Sequence, residues 1–371
     1  MEKGVPLYPQ KLGNYYLEEI VGQGNTCVVV KARDIHDNVF ACKIISKLKF
    51  SSATNIKHFQ DELAVMRTLS HPNIINLVEI LQDSNNVYIF EEYCELGDLT
   101  REILRSKCIE EDRAGSIMTQ VFKGLSFMHQ HHIAHRDIKP ENIFVCSNGL
   151  IKVADFGYST LNSGTDYRST VCGTLIYIAP EILKQTPYNA LIADAWSCGV
   201  LLYAMVCGYL PWEKKSQAGM TEEIKFKKIE YPETMSPECR YLIEHLCDRN
   251  VDTRFSIAQA MECDFIKRHM EEETPTPLFH ADPTGFRNHL SKSALNFASL
   301  REDSIVNLLN MVNRKPPKIN KTAKPKIVQP ILEVSSAMKL STLVNKTKIK
   351  CRTTNIQNTF SYNQETGNFE F

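Results

Sequence analysis

Three side chains in this sequence have the types and spacing to handle a phosphoryl group. Asp137 and Asn142 stand five positions apart in His135-Arg136-Asp137-Ile138-Lys139-Pro140-Glu141-Asn142, and Asp155 opens Asp155-Phe156-Gly157 further on. A carboxylate at Asp137 can receive the proton of an attacking hydroxyl. The amide oxygen of Asn142 and a second carboxylate are hard donors of the kind Mg²⁺ takes. Together they suit transfer of a metal-bound phosphoryl group.

Such chemistry needs a loop held between packed elements. A helix is predicted over Glu110–Gln130, with Ile117, Val121, Leu125 and Met128 on one face. It delivers the chain to the loop, which runs on into the apolar stretch Ile143-Phe144-Val145. Leu150–Ala154 then reads as a short strand ending at Asp155. Upstream, Tyr15–Ala32 alternates and reads as two strands around Gly22-Gln23-Gly24-Asn25-Thr26-Cys27. Glycines at 22 and 24 let backbone amides approach a triphosphate closely. Ile56, Phe59, Leu63, Met66 and Leu69 recur at helical steps, and Glu62 borders that apolar stripe. An unpaired carboxylate there is costly, and Lys43 of Phe40-Ala41-Cys42-Lys43-Ile44-Ile45 is its expected partner.

In this order the motifs resemble the catalytic core of a eukaryotic protein kinase, and Lys139-Pro140-Glu141-Asn142 resembles its serine/threonine branch. The likeness runs from about Asn14 to His269. It implies an α+β, bilobal protein kinase fold. A small β-rich N-lobe over about 14–92, with one key helix, is expected beside a larger, mainly helical C-lobe over about 95–269. It further implies ATP and Mg²⁺ as cofactors and protein Ser/Thr hydroxyls as acceptors. By resemblance Lys43 orients phosphate and Glu62 secures it, while Asp155 and Asn142 bind the metal. Asp137 positions the hydroxyl and accepts its proton, and Lys139 neutralises charge on the moving group. Gly22, Gly24, Val29, Ala41, Lys43 and the backbone of Glu92 and Cys94 would meet the nucleotide. Asp98 would contact ribose or a basic substrate side chain; its plainer role is to cap a helix. Asp194 resembles the buried aspartate that holds the catalytic loop, and Arg254 the arginine paired with Glu181.

Two positions depart from the family pattern. Cys27 replaces the third glycine of the phosphate loop, and an acidic residue, Glu91, stands where access behind the adenine is controlled. These departures are the support for a competing expectation, a pseudokinase or scaffold that binds nucleotide and partners without turnover.

The hydroxyl-rich segment between Gly157 and Ala179-Pro180-Glu181 suits control by phosphorylation. Thr170 matches the position usually modified in related kinases, with Ser169 as second choice and an upstream kinase as the implied activator. Arg136 is placed to receive the phosphate. Phe40-Ala41-Cys42-Lys43, the Cys172-Gly173-Thr174 segment and Gly208-Tyr209-Leu210-Pro211-Trp212 look most like the calmodulin-dependent and AMP-activated kinase group. That resemblance implies a basophilic enzyme, with Asp98 and Glu141 facing an arginine upstream of the acceptor. Ala204 argues against a strong demand for a second arginine.

The rest of the chain divides by charge. From Pro275 to Phe371 there are 14 Lys+Arg against 6 Asp+Glu, so a basic tail joins an acidic body although the whole sums to zero. A mostly disordered tail over 270–371 is expected, with a short helix near 304–312. Its readings are a calmodulin-responsive or pseudosubstrate helix, a docking arm for acidic partners, or a nuclear import patch. Twelve cysteines without regular spacing read as reduced thiols of a cytoplasmic protein. Met1-Glu2-Lys3-Gly4 lacks an apolar signal core, and no membrane span is expected. Nothing suggests a platform for nucleic acid.

Overall fold

Alternation of side chains along strands decides which residues of the first lobe face its core and which face the site. Strands β1 (Lys11–Leu12), β2 (Tyr15–Gln23), β3 (Cys27–Asp34), β4 (Val39–Ser46), β5 (Leu77–Gln82) and β6 (Asn86–Glu92) form one sheet, ordered β1-β2-β3-β4-β6-β5. Neighbours pair antiparallel throughout. In this computed structural model the described residues are 8–23, 27–50, 53–161, 173–184, 187–214, 216–270, 361–363 and 368–370.

Val28, Val30 and Ala32 of β3, Phe40, Cys42 and Ile44 of β4, and Tyr88 and Phe90 of β6 share one buried cluster with Tyr15 and Leu17. The Tyr15 and Phe90 rings stack at 3.9 Å. The intervening residues Val29, Ala41, Lys43, Ile89 and Glu91 therefore lie on the other face. Helix α1 (Ala53–Thr68) belongs with that second face: its Ile56, Val65 and Met66 join Ile89, with Leu69 just beyond the helix, in the larger core that continues into the helical part. Phe59 and Leu63 pack against the same cluster, completing the predicted stripe.

The helical part is built around α3 (Glu111–Gln130), whose buried side includes the predicted Ile117, Val121, Leu125 and Met128. Around it lie α2 (Leu99–Ser106), α4 (Ala190–Cys207), α5 (Gln217–Phe226), α6 (Pro237–Leu246), α7 (Ile257–Met261) and α8 (Asp264–Met270). Two short antiparallel pairs follow α3: β7 (Ile133–Ala134) with β10 (Thr160–Leu161), and β8 (Ile143–Val145) with β9 (Ile151–Val153). Asn73 ties the chain approaching β5 to this part: its Nδ2 donates to Gln120 Oε1 and to the Ile151 carbonyl, both at 3.0 Å. The approach requires Gly124, where a Cβ would stand 2.8 Å from the Asn73 carbonyl oxygen. Helix α4 is long and apolar enough to cross a membrane by length and composition, yet 83% of it is buried inside the fold, as a core helix is.

Glu181 and Arg254 form a bidentate pair at 2.6 and 2.8 Å, and the Arg254 guanidinium lies 5.2 Å from the Trp196 ring centroid. Both residues are buried. In the tail the described residues are two short antiparallel strands, β11 (Ser361–Asn363) and β12 (Asn368–Glu370), where the sequence pattern led to an expectation of none. Their register sets Tyr362 opposite Phe369, and aromatic residues at alternate positions on either side of Gly367 are a hairpin signal that the basic, breaker-rich composition overshadowed. The expected helix near 304–312 lies outside the described residues. Among the described cysteines none is bridged.

Replacing Arg254 by Leu keeps the packing on Trp196 but leaves Glu181 charged and buried. It is expected to destabilise the fold by about 3–5 kcal/mol, read from denaturant unfolding curves.

Candidate active site

The loop between β7 and β8 is held from beneath by one carboxylate. Asp194, 1% exposed in α4, accepts from the backbone amides of His135 and Arg136 at 2.8 Å and from His129 Nε2 at 3.0 Å. His135 links the loop to the strand that carries Asp155. Its Nδ1 accepts from the Asp137 amide at 3.3 Å, which leaves Nε2–H to donate to the Ala154 carbonyl at 3.0 Å. Arg136 and Asp155 sit at positive φ, +68° and +67°. Non-glycine residues hold that conformation only where the surroundings impose it.

Asp137 is buried and fully engaged. Its Oδ1 accepts from the Thr174 amide at 3.0 Å and from the Thr174 hydroxyl at 3.2 Å. Asn142 Nδ2 donates to Asp137 Oδ2 at 3.0 Å and to the Asp137 carbonyl at 2.8 Å, which leaves the amide oxygen as the acceptor end. Lys139 Nζ lies 2.8 Å from Asp137 Oδ2 and donates to Thr174 Oγ1 at 3.0 Å. Burial works against the Lys139 ammonium, but Asp137 and Glu141 prevail and hold its pKa above the ordinary value. Thr174 was missed as a site residue; its only sequence signal is the Cys172-Gly173-Thr174 motif. Gly173 has φ +91°, and a Cβ there would stand 2.6 Å from the Arg136 carbonyl oxygen.

Lys43, Glu62 and Asp155 come together as a charged group, but the expected Lys43–Glu62 ion pair is not formed. Lys43 Nζ pairs with Glu91 Oε1 at 3.0 Å, whereas Glu62 has no such contact within 4.0 Å among the described residues. The reason is sheet register. Ala41 stands opposite Glu91 and Lys43 opposite Ile89, so Lys43 and Glu91 are diagonal neighbours on one face. Burial disfavours the ammonium of Lys43, but Glu91, then Asp155 and Glu62, outweigh it and raise its pKa. Burial likewise disfavours the ionised form of Asp155, and Lys43 and Lys139 reverse that, holding its carboxyl below the usual range. Glu62 lacks such compensation: burial, with repulsion from Asp155 and Glu91, pushes it up to about 7 against the pull of Lys43.

Val29 and Ala41 lie on the same sheet face as Lys43, and Gly22 pairs with Val29 across β2 and β3. Gly24 lies outside the described residues, as do Ser169 and Thr170. Glu92 ends β6 and is tied to the helical part by Lys152 of β9, with Nζ 2.5 Å from Glu92 Oε2. Cys94 follows, buried, its Sγ 3.4 Å from Cys146 Sγ. Asp98 caps α2, accepting from the Arg101 amide at 3.3 Å. Arg136 donates to the Tyr188 hydroxyl at 2.9 and 3.2 Å. The Lys152–Glu92 tie had no signal in the sequence, because its two residues are unremarkable until the strands are placed.

Since the Glu62 carboxyl moves from 4.5 to about 7 on folding, the folded chain keeps a proton that the unfolded chain releases between those values. Its stabilising contribution is therefore present below about pH 4.5 and is lost as pH rises through about 7. Glu62→Gln is expected to remove this fall, so the gap in denaturation midpoint between variant and wild type should widen in the variant's favour from about pH 5 to about pH 8. A gap that stays constant across that window would contradict the assignment.

Residues 15–266 match the family model described as a protein kinase domain. The chain is 33% identical over 261 residues to CBL-interacting protein kinase 5 of Oryza sativa subsp. japonica, covering 69% of this chain and 56% of that one. It is 32% identical over 261 residues to CBL-interacting serine/threonine-protein kinase 12 of Arabidopsis thaliana, covering 69% and 53%. A third relative, CBL-interacting serine/threonine-protein kinase 10 of Arabidopsis thaliana, is 33% identical over 265 residues, covering 70% and 55%. The chain thus spans less than two thirds of the length of these relatives. With a family match over most of its length, and the loop, sheet and helices arranged as that resemblance implies, this chain belongs to the protein kinase domain family.

Proposed function

We propose that this chain is a serine/threonine protein kinase that transfers the γ-phosphoryl of ATP to protein hydroxyls. The observation that carries the reading is the Asp137 carboxylate, held by Thr174, Asn142 and Lys139 beside the charged group of Lys43 and Asp155. Asp137 orients the acceptor hydroxyl and takes its proton. Lys139, hydrogen-bonded to Thr174, stays fixed next to that carboxylate and offsets charge on the group in transit. Lys43 contacts the nucleotide phosphates from the sheet, and the backbone after β6 receives the adenine.

The residues present fit a magnesium ion. Asp155 supplies a carboxylate and Asn142 an amide oxygen, and few protein donors completed by phosphate oxygens are what this ion accepts. Bound there, it would neutralise phosphate charge and fix the geometry of the nucleotide.

Acceptor selection is read from Asp98 and Glu141. Glu141 has a buried carboxylate oxygen with no hydrogen-bond partner, and burial pushes its carboxyl up to about 7. Burial raises Asp98 as well, and the charge of Asp98 adds to the upward push on Glu141. A guanidinium between them would relieve both, which supports a preference for an arginine upstream of the acceptor. Thr170, and Ser169 after it, remain the proposed activating sites, with Arg136 nearest in sequence to Asp137 as the phosphate receiver.

Transfer from labelled ATP to a degenerate Ser/Thr peptide library tests the reading. Asp137→Asn and Asp155→Asn are each expected to cost on the order of 100-fold or more in rate. Peptides with arginine upstream should be preferred; preference for proline or acidic neighbours would remove the basophilic part. Thr170→Ala should lower activity several-fold, and equal rates of the phosphorylated and unphosphorylated chains would dismiss activation at that residue. Nucleotide binding without transfer to any peptide would instead favour the pseudokinase reading.

A further inference from the structure

Two thiols meet where the sheet lobe passes into the helical part, and the mechanism above uses neither side chain. Cys94, buried just after β6, and Cys146, half-buried just after β8, have their Sγ atoms 3.4 Å apart. Backbone pairing brings them together. The Leu96 amide donates to the Val145 carbonyl at 3.2 Å, and the Val145 amide to the Gly97 carbonyl at 2.8 Å. Asp98 and Phe144 form an antiparallel bridge further along, and the Ser147 amide donates to Glu95 Oε2 at 3.0 Å. Residues 94–98 and 144–147 are thus laid side by side, with the two sulfurs in contact across the join. The hydrogen bond between the sulfurs, helped by the Lys152 ammonium, outweighs burial and the charges of Glu95 and Glu92, and holds the Cys146 thiol below its ordinary value. The same bond, with burial, pushes Cys94 the other way. Cys146 is therefore the readier nucleophile and Cys94 the thiol that waits beside it.

We propose that Cys94 and Cys146 are a peroxide-sensitive pair that closes reversibly into a disulfide, and that the bridge weakens nucleotide binding. The Cys146 thiolate attacks one oxygen of hydrogen peroxide. An S–O bond forms, the O–O bond breaks, and the leaving hydroxide takes up the proton that the thiol had released. The Cys94 sulfur then displaces hydroxide from the Cys146 sulfenic acid, and the Cys94 proton leaves with that hydroxide as water. Two thiols and one peroxide give one disulfide and two waters, the sulfurs losing the electron pair that the peroxide gains. Bonding draws the sulfurs from 3.4 Å to about 2.05 Å, so the chain after β6 is pulled toward β8. The loss of nucleotide affinity rests on the kinase reading, in which the backbone of Glu92 and Cys94 receives the adenine; closure of the pair does not. Hydrogen bonds to the adenine weaken steeply once that backbone leaves its alignment.

The test uses the full-length chain, reduced or treated with hydrogen peroxide, and its Cys146→Ser variant. Free thiols are blocked under denaturing conditions, and the peptides are mapped by mass spectrometry without reductant. Peroxide is expected to join Cys94 to Cys146, and dithiothreitol to release them. Mg-ATP affinity, measured by titration calorimetry, should fall roughly tenfold on bridging, the cost of about one good hydrogen bond, and return with dithiothreitol. Reduced Cys146→Ser should bind Mg-ATP within about threefold of reduced wild type and lose no affinity on peroxide treatment. Recovery of both residues as thiols, oxidation without a Cys94–Cys146 link, or a bridge that leaves affinity unchanged would each overturn the proposal. So would a Cys146→Ser variant that loses affinity as wild type does. Circular dichroism checks folding; should the variant fail to fold, the wild-type map and the affinity before and after dithiothreitol decide. A reduced wild type that does not bind Mg-ATP removes the proposed function and the affinity effect with it, while the peptide map still decides whether the pair closes.

Discussion

Charge taken out of water must be met by opposite charge or by hydrogen-bond donors, and most of what is distinctive in this structure follows from that constraint. Asp194, Asp137, Glu181 and Glu91 are all buried. Three are well compensated: three N–H donors for Asp194, Thr174, Asn142 and Lys139 for Asp137, and a guanidinium for Glu181; Glu91 has the Lys43 ammonium at 3.0 Å, yet burial still holds its carboxyl above the usual range. Because these partners come from distant parts of the sequence, satisfying them closes the loop onto α4, the segment before α4 onto Arg254, and β6 onto β4. Fixing the charges and fixing the fold are one process.

The same compensation prepares the site. A carboxylate that accepts from Thr174 and Asn142 cannot swing away, and a lysine that shares the same carboxylate and the Thr174 hydroxyl cannot drift into solvent. Donors and acceptors aimed before substrate arrives need no reorganisation during reaction, which is where electrostatic catalysis gains its advantage. The left-handed backbone at Arg136 and Asp155 belongs to this arrangement, since His135 and Asp194 pull the chain taut on either side of those residues. Glu62 marks the opposite case. Burial there is only partly compensated, and the residue responds by holding its proton toward neutral pH.

Much of this was legible from residue order. The apolar stripe of α1, the buried side of α3, the loop bearing Asp137 and Asn142, and the Asp155 turn all follow from local periodicity and from side-chain chemistry within short windows. So does the structural standing of Asp194 and of the Glu181–Arg254 pair, through the family resemblance. The hairpin strands near the C-terminus were not read, because composition spoke louder than a brief alternation of aromatic residues.

What the sequence by itself determined, then, is which residue types sit on which face of each element and which of them have the chemistry for phosphoryl transfer. Which carboxylate meets Lys43 was decided only by tertiary structure. Both Glu62 and Glu91 are acidic residues facing the same space, and no local pattern ranks them. The register of β4 on β6 brings Glu91 to 3.0 Å, while the seat of α1 keeps Glu62 outside ion-pair range. Thr174 and Lys152 became site residues the same way, since a hydroxyl or an ammonium acquires a partner only when a remote segment is laid beside it.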